Sequence, residues 1–173
     1  IPLEHPQSPF VVNGQLDQVY FKLKELLEGP GGRIAQQAQF DMRWLATRGI
    51  TVNTTFDTML AAHVIDENTS VGLKSLASHL WGVPDYSLDV EAWEHQAPTN
   101  YEELLYYNGC DAFYTARAYE IQRLRIRENP RLARLFAKLI VPATKAIARV
   151  EQRGIYLDWE RLDIREHETV GLR

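Results

Sequence analysis

Cysteine is nearly absent from this chain: Cys110 is the single one among 173 residues. An internal disulfide is excluded, a cysteine-ligated zinc site is disfavoured, and a reducing compartment is the expected setting. No apolar run approaches the roughly 20 residues of a membrane span, and no basic segment followed by a hydrophobic stretch opens the chain. The expectation is a cytoplasmic, unexported protein without membrane contact. The five histidines, His5, His63, His79, His95 and His167, show no pairing at metal-ligand spacing and read as core or surface side chains. The glycine-rich "GPGG" at 29–32 lacks the lysine and serine or threonine of a phosphate-binding loop and reads as a turn. An excess of positive charge is also missing, since the net charge is -4. That balance speaks against a nucleic-acid partner only at the scale of the whole chain, because it hides one patch. Between Arg117 and Arg134 stand six arginines and two glutamates. A solvated helix face is one explanation of this cluster.

What is present is an ordinary composition, 45% hydrophobic and 24% charged, with enough length for one well-filled core. Residues 14–29 place Leu16, Val19, Tyr20, Leu23, Leu26 and Leu27 on one helical stripe. "RIAQQ" (33–37) is short enough for a strand, and "AQFDMRWLATRG" (38–49) reads as a helix with Trp44 and Leu45 facing the core and Gly49 at its end. "ITVNTTFD" (50–57) is rich in β-branched residues and predicts a second strand, followed by a helix over "TMLAAHVI". Leu73, Leu76, Ala77 and Leu80 point inward from the next helix, which Gly82 ends. A loop follows over 82–100, flanked by Trp81 and Trp93, whose rings can either pack or stack on a nucleic-acid strand. Thr99 with Glu102 forms a capping box for a long helix towards Asn129. After Pro130 the apolar positions Leu132, Leu135, Phe136, Leu139, Ile140, Ala143, Ile147 and Val150 predict a helix kinked at Pro142. Gly154 closes it, and Asp158 is placed to cap a last helix. The opening "IPLEHP" reads as the end of a strand entering a loop, with no methionine before it, so the chain is expected to begin within a domain.

Two local features carry chemistry. Asp41 stands in the first turn of its predicted helix, where a carboxylate is favoured by the helix dipole whatever else it does. In "YYNGCD", Tyr107 and Asp111 are four residues apart and share a helix face. Gly109 lies between them at a cost of about 1 kcal/mol relative to alanine. Such a break of a local rule occurs at functional sites, or where a glycine relieves close packing.

Taken together, "IAQQAQFDMRWL", "FDTMLAAHVID", "GLKSLASHLWGV" and "YYNGCDAFYTARAY" resemble, in order and spacing, the proofreading 3′→5′ exonuclease domain of family A DNA polymerases. Asp41 falls at the second metal-binding motif of that family, and Tyr107 and Asp111 match its third, tyrosine-containing motif. "IVPATKAIARVEQRGIYLDWERL" is similar to the segment that leads into the polymerase thumb. The resemblance implies an α/β, ribonuclease-H-like fold, helix-dominated and without its amino-terminal strands. It implies a partial exonuclease domain over residues 1–128 and a linker helix with the start of the thumb over 129–173. It also implies two Mg²⁺ or Mn²⁺ ions, one held by Asp41 and the other by Asp111, with Tyr107 orienting the attacking water. Carboxylate oxygens suit such hard cations. The implied partners are a single-stranded DNA 3′ end, primer-template DNA and the rest of a polymerase chain, in a bacterial or phage setting. Gln36, Gln37 and Phe40 become candidate DNA contacts, the amides towards phosphates or base edges and the ring for stacking. Phe40 is equally a candidate for the core.

The chain departs from the family in two respects. Gln37 stands where asparagine is usual and Gln39 where lysine is frequent. The first motif, Asp-x-Glu on a strand, has no counterpart before Asp41. Asp89-Val90-Glu91 and Asp158-Trp159-Glu160 have the right letters but follow the second motif, and read as surface or capping acids. The isolated chain is therefore expected to be inactive. Two alternatives remain beside the nuclease reading: a non-catalytic scaffold domain of a polymerase, and an exoribonuclease of the RNase D type, which the segment after residue 139 disfavours.

Overall fold

Residues 2–84, 86 and 100–170 are described by the computed structural model. A one-turn helix, α1 (Pro9–Val12), is capped by the Ser8 hydroxyl and leads into α2 (Leu16–Glu28). Strand β1 (Arg33–Ala35), helix α3 (Ala38–Thr47) and strand β2 (Thr54–Asp57) form a β-α-β unit with the two strands parallel. Helices α4 (Thr58–Ile65) and α5 (Leu73–Trp81) follow, then α6 (Tyr101–Glu128). Pro130 starts α7 (Pro130–Leu135), one wide π-turn spans Phe136–Ile140, and α8 (Val141–Arg153) continues from it. The last helix is α9 (Trp159–Val170), where the Asp158 carboxylate accepts from Arg161 N–H at 3.1 Å. Asp158 thus acts as the capping acid the sequence suggests.

The core gathers on the inner side of β2. Phe56, Ala61, Ile126 and Phe136 are buried together, with Leu60, Val64, Tyr119 and Leu132 packed around them. The Phe56 ring meets Tyr119 edge-on at 4.8 Å and Phe136 at 4.9 Å. Burying a phenylalanine contributes about 1.5–3 kcal/mol, so this three-ring contact ties the β-α-β unit to α6 and to the π-turn. Helix α8 lies along α3, where Arg43 pairs with Glu151 at 3.2 Å and Gln152 donates to the Met42 carbonyl at 3.4 Å. The carboxy-terminal helices up to residue 153 are therefore built into the same packing as the strands.

Several expectations need correcting. Residues 2–8 form turns rather than a strand end, with His5 N–H donating to the Pro2 carbonyl and Ser8 N–H to that of His5. Pro2 and Pro6 lack the N–H groups a ladder would use. Strand β2 begins at Thr54, not Ile50. Trp44 does not face the core; it is 63% exposed and leans on Phe40 at 6.4 Å. It overhangs an apolar trough of about 900 Å³ lined by Leu23 and Leu27 of α2, by β1, and by Leu45 of α3. Among the described residues the sheet has two strands, so nothing there covers that face of α3. Leu26 of the α2 stripe is also exposed, as are Leu139, Ile147 and Val150 of the later one. Asn100, not Thr99, caps α6, accepting from Glu102 N–H at 3.1 Å; Thr99 itself lies outside the described residues, as do Asp89-Val90-Glu91, Trp93 and His95. Pro142 sits in the first turn of α8, directly after the π-turn, a position that tolerates its missing N–H.

Two glycines have opposite roles. A Cβ on Gly32 would overlap the Thr55 hydroxyl and fall 2.8 Å from its Cγ2 and 2.9 Å from its Cβ. The bulk belongs to a stiff β-branched side chain, so β2 would have to move. Gly109 has nothing within 4 Å of that position, which removes close packing as the reason for it. Gly32→Ala is expected to lower stability by about 1–3 kcal/mol, and Gly109→Ala to raise it by about 1 kcal/mol. Urea unfolding of both variants checks the pair; shifts of the same sign would contradict this packing.

Candidate active site

The site begins with one buried carboxylate. Asp57 closes β2 and is 2% exposed. Its Oδ1 accepts from Met59 N–H at 2.9 Å and Leu60 N–H at 3.2 Å, capping α4. The same side chain reaches across to α3, where Gln37 N–H donates to Oδ1 at 3.2 Å and Ala38 N–H to Oδ2 at 2.8 Å. One acid thus satisfies backbone donors of two helix N-termini, where the dipole also favours negative charge. The second grip requires a sharp bend, and Gln37 supplies it at φ 59°, ψ 51°, the left-handed region that asparagine and glycine tolerate better. Among the described residues it is the only non-glycine with positive φ.

Gln36 braces the next neighbour. Its Oε1 accepts from the Thr58 hydroxyl at 2.6 Å, and its Nε2 donates to the Val71 carbonyl at 2.9 Å. The loop entering α5 is thereby tied to the start of α4. The buried Gln122 of α6 donates to the Thr58 carbonyl at 3.0 Å from the other side. These bonds set β1, α3, α5 and α6 around a cleft of about 840 Å³.

All six residues singled out in the sequence line that cleft: Gln36, Gln37, Phe40 and Asp41 from the β1–α3 side, Tyr107 and Asp111 from α6. Of the six, only Asp41 also borders the apolar trough, so it stands on the ridge between the two hollows. The walls displace water from its carboxyl and the Asp57 charge adds repulsion, together pushing its pKa up to about 6. Phe40 is about half exposed at the rim. The Gln36 amide is engaged in the bracing just described.

Two further residues, Lys74 in the cleft and Tyr86 beside it, stand out in three dimensions. Lys74, in the first turn of α5, donates to the Tyr107 hydroxyl at 2.6 Å and to Asp111 Oδ1 at 3.2 Å, with its ammonium 4.3 Å from the centre of the Tyr107 ring. Burial works to lower its pKa, but the hydrogen bonds to Tyr107 and Asp111 and the Asp111 charge prevail and raise it. Tyr86 donates to the same Asp111 oxygen at 3.0 Å. Burial first and this hydrogen bond second push its hydroxyl pKa up. The sequence held one sign of Lys74, a cation at the helix end where the dipole disfavours it. For Tyr86, in the irregular loop, it held none. Trp81 proves to be a packing residue, stacked on Tyr114 at 5.7 Å beneath Arg117. Within the basic patch Arg123 pairs with Glu120 at 2.8 Å.

In donor chemistry the cleft suits a hard divalent cation: Asp41 and Asp111 offer carboxylate oxygens, and Asp111 already meets a positive charge. Among the described residues no three His, Cys, Asp or Glu side chains converge as a metal site. The raised Asp41 pKa has a definite sign. The folded chain holds this proton more tightly than the unfolded one, so the stabilisation is present in full below pH 4 and is lost as pH rises through about 6. An NMR titration should place the Asp41 midpoint near 6, and Mn²⁺ or Mg²⁺ should lower it by competing with the proton. A midpoint at the ordinary carboxylate value would contradict the desolvated environment.

Comparison with known proteins gives the family. A model of the 3′-5′ exonuclease of family A DNA polymerases matches residues 10–126. DNA polymerase I of Borreliella burgdorferi is 29% identical over 165 residues, 94% of this chain and 18% of that protein. DNA polymerase I of Chloroflexus aurantiacus is 31% identical over 138 residues, 75% of this chain and 14% of that protein. DNA polymerase I of Pseudomonas aeruginosa is 26% identical over 178 residues, 97% of this chain and 20% of that protein. This chain therefore spans about a fifth or less of the length of these relatives. No solved structure matches it. With two thirds of its length matched by the family model, the chain belongs to the 3′-5′ exonuclease family of DNA polymerase A.

Proposed function

We propose that this chain is the carboxy-terminal part of a proofreading exonuclease domain, which removes mismatched nucleotides from a DNA 3′ end within a larger bacterial or phage polymerase in the cytoplasm. In this reading residues 1–128 belong to the nuclease and residues 129–173 lead towards the polymerase thumb. The observation that carries it is the shared cleft: Asp41 and Asp111, 70 positions apart, line one hollow together with Tyr107.

Asp41 and Asp111 would hold Mg²⁺ or Mn²⁺ ions, with further ligands from an upstream Asp-x-Glu strand. When bound, such ions supply charge neutralisation and a nucleophilic water. Tyr107 holds the attacking water in line through its hydroxyl. Phe40, at the rim, stacks on the terminal base. The backbone beside Gln37 borders the path of the strand, while the Gln36 amide acts on the substrate indirectly by fixing the cleft wall. The scaffold alternative differs from this reading in whether those upstream ligands are present, and the test below separates the two. An RNase D-type reading has no comparable support.

The test uses the polymerase chain with its upstream motif in place. Asp111→Ala should abolish Mg²⁺-dependent 3′→5′ degradation of single-stranded DNA. Tyr107→Phe keeps the ring and loses one orienting hydrogen bond, worth about 1–3 kcal/mol of barrier, so the rate should fall roughly tenfold to a hundredfold. An unchanged rate in Asp111→Ala would overturn the assignment and favour the scaffold.

A further inference from the structure

We propose that Lys74 is a built-in competitor of the metal: its ammonium occupies the cation position at Asp111 and must withdraw before a divalent ion can bind there. This rests on the proposed reading of Asp111 as a metal ligand. The contacts of Lys74 converge on one spot. Its Nζ lies 3.2 Å from Asp111 Oδ1 and 2.6 Å from the Tyr107 hydroxyl oxygen. The Tyr107 ring lies 4.3 Å from the ammonium, centre to charge, and the Tyr86 ring 5.3 Å. These are an oxygen donor set and two ring faces, the surroundings that attract a cation. Both the lysine and the aspartate are about two-thirds shielded from solvent, so the pair is screened less than a surface ion pair.

Nothing in α5 itself accounts for a lysine at this position. A positive charge in the first turn opposes the helix dipole, so the attraction that keeps Lys74 in the cleft comes from α6. A divalent ion on the same carboxylate would meet a like charge within a few ångströms. The ion therefore binds in the fraction of molecules whose ammonium has swung out, and its apparent affinity is reduced by that fraction. The four-carbon stem gives the side chain room to move without displacing α5. The Tyr107 hydroxyl is released by the same motion, so metal entry and the freeing of the water-orienting group are one event.

The experiment is calorimetric titration of Mn²⁺ into the 173-residue chain and three variants, with tyrosine fluorescence followed in parallel. Lys74→Met, similar in length and uncharged, should bind Mn²⁺ roughly five- to tenfold more tightly, the equivalent of a partly shielded ion pair removed. Lys74→Arg retains the charge and should return affinity to the starting value or below it. Asp111→Asn should lose the binding event. In the starting chain Mn²⁺ should also change the tyrosine emission as the ammonium leaves Tyr107, a response absent from Lys74→Met. Equal or weaker binding by Lys74→Met, with binding still lost in Asp111→Asn, overturns the competitor role and leaves Asp111 as a ligand. Unaltered binding in Asp111→Asn overturns the ligand reading and the inference with it. Thermal melts of each variant separate a folding defect from either outcome, and Lys74→Gln replaces Lys74→Met if the latter melts early.

Discussion

A single buried carboxylate organises this molecule. Asp57 accepts four backbone hydrogen bonds, two from the start of α3 and two from the start of α4, and it does so from the end of the inner strand. Helix N-termini hold unsatisfied donors and a positive dipole end, and here two of them are turned towards one anion. The direction of α3, and so the place of Phe40 and Asp41, follows from that bond set. So does the strain at Gln37, whose left-handed backbone is what allows the α3 amides to reach Asp57. The arrangement also has an electrostatic consequence, because the charge that fixes α3 contributes to holding the Asp41 proton.

The opposite wall of the cleft is governed by different physics. Helix α6 is placed by apolar packing, through Ile126 and the Phe56–Tyr119–Phe136 contacts, and by Gln122 beneath the first turn of α4. Tyr107 and Asp111 extend from that anchored rod into a region where the contacts become polar, with Lys74 and Tyr86 facing them. The cleft thus has an apolar foundation below, in the Phe56–Tyr119–Phe136 packing, and a polar layer above, where Lys74 and Tyr86 bond Asp111. The trough behind Asp41 is of another kind, lined by aliphatic side chains of α2, β1 and α3 with Trp44 standing over it.

Much of this was legible in the sequence. The helices with regular apolar spacing lie where their periodicity places them, because burial of one face decides a helix. Strand lengths and the orientation of Trp44 were not legible, since both depend on what packs against the sheet, and a residue's local pattern carries no record of its neighbours. Asp57 could be recognised as the cap of α4 from its position before an apolar helix. Its bond to α3 could not, because that bond spans 19 or 20 residues and depends on the conformation of Gln37. The six cleft residues were found through motif order, whereas Lys74 and Tyr86 reach Asp111 by tertiary packing across 37 and 25 residues.

The claim that Asp57 holds both helices is tested most directly by amide hydrogen exchange on Asp57→Ala. Removing a buried anion that accepts four N–H groups should cost about 2–4 kcal/mol of stability. More specifically, protection should fall together at Gln37, Ala38, Met59 and Leu60, two sites on each helix. Loss confined to Met59 and Leu60, with Gln37 and Ala38 as protected as before, would mean that α3 is held by other contacts and that Asp57 is an ordinary cap of one helix.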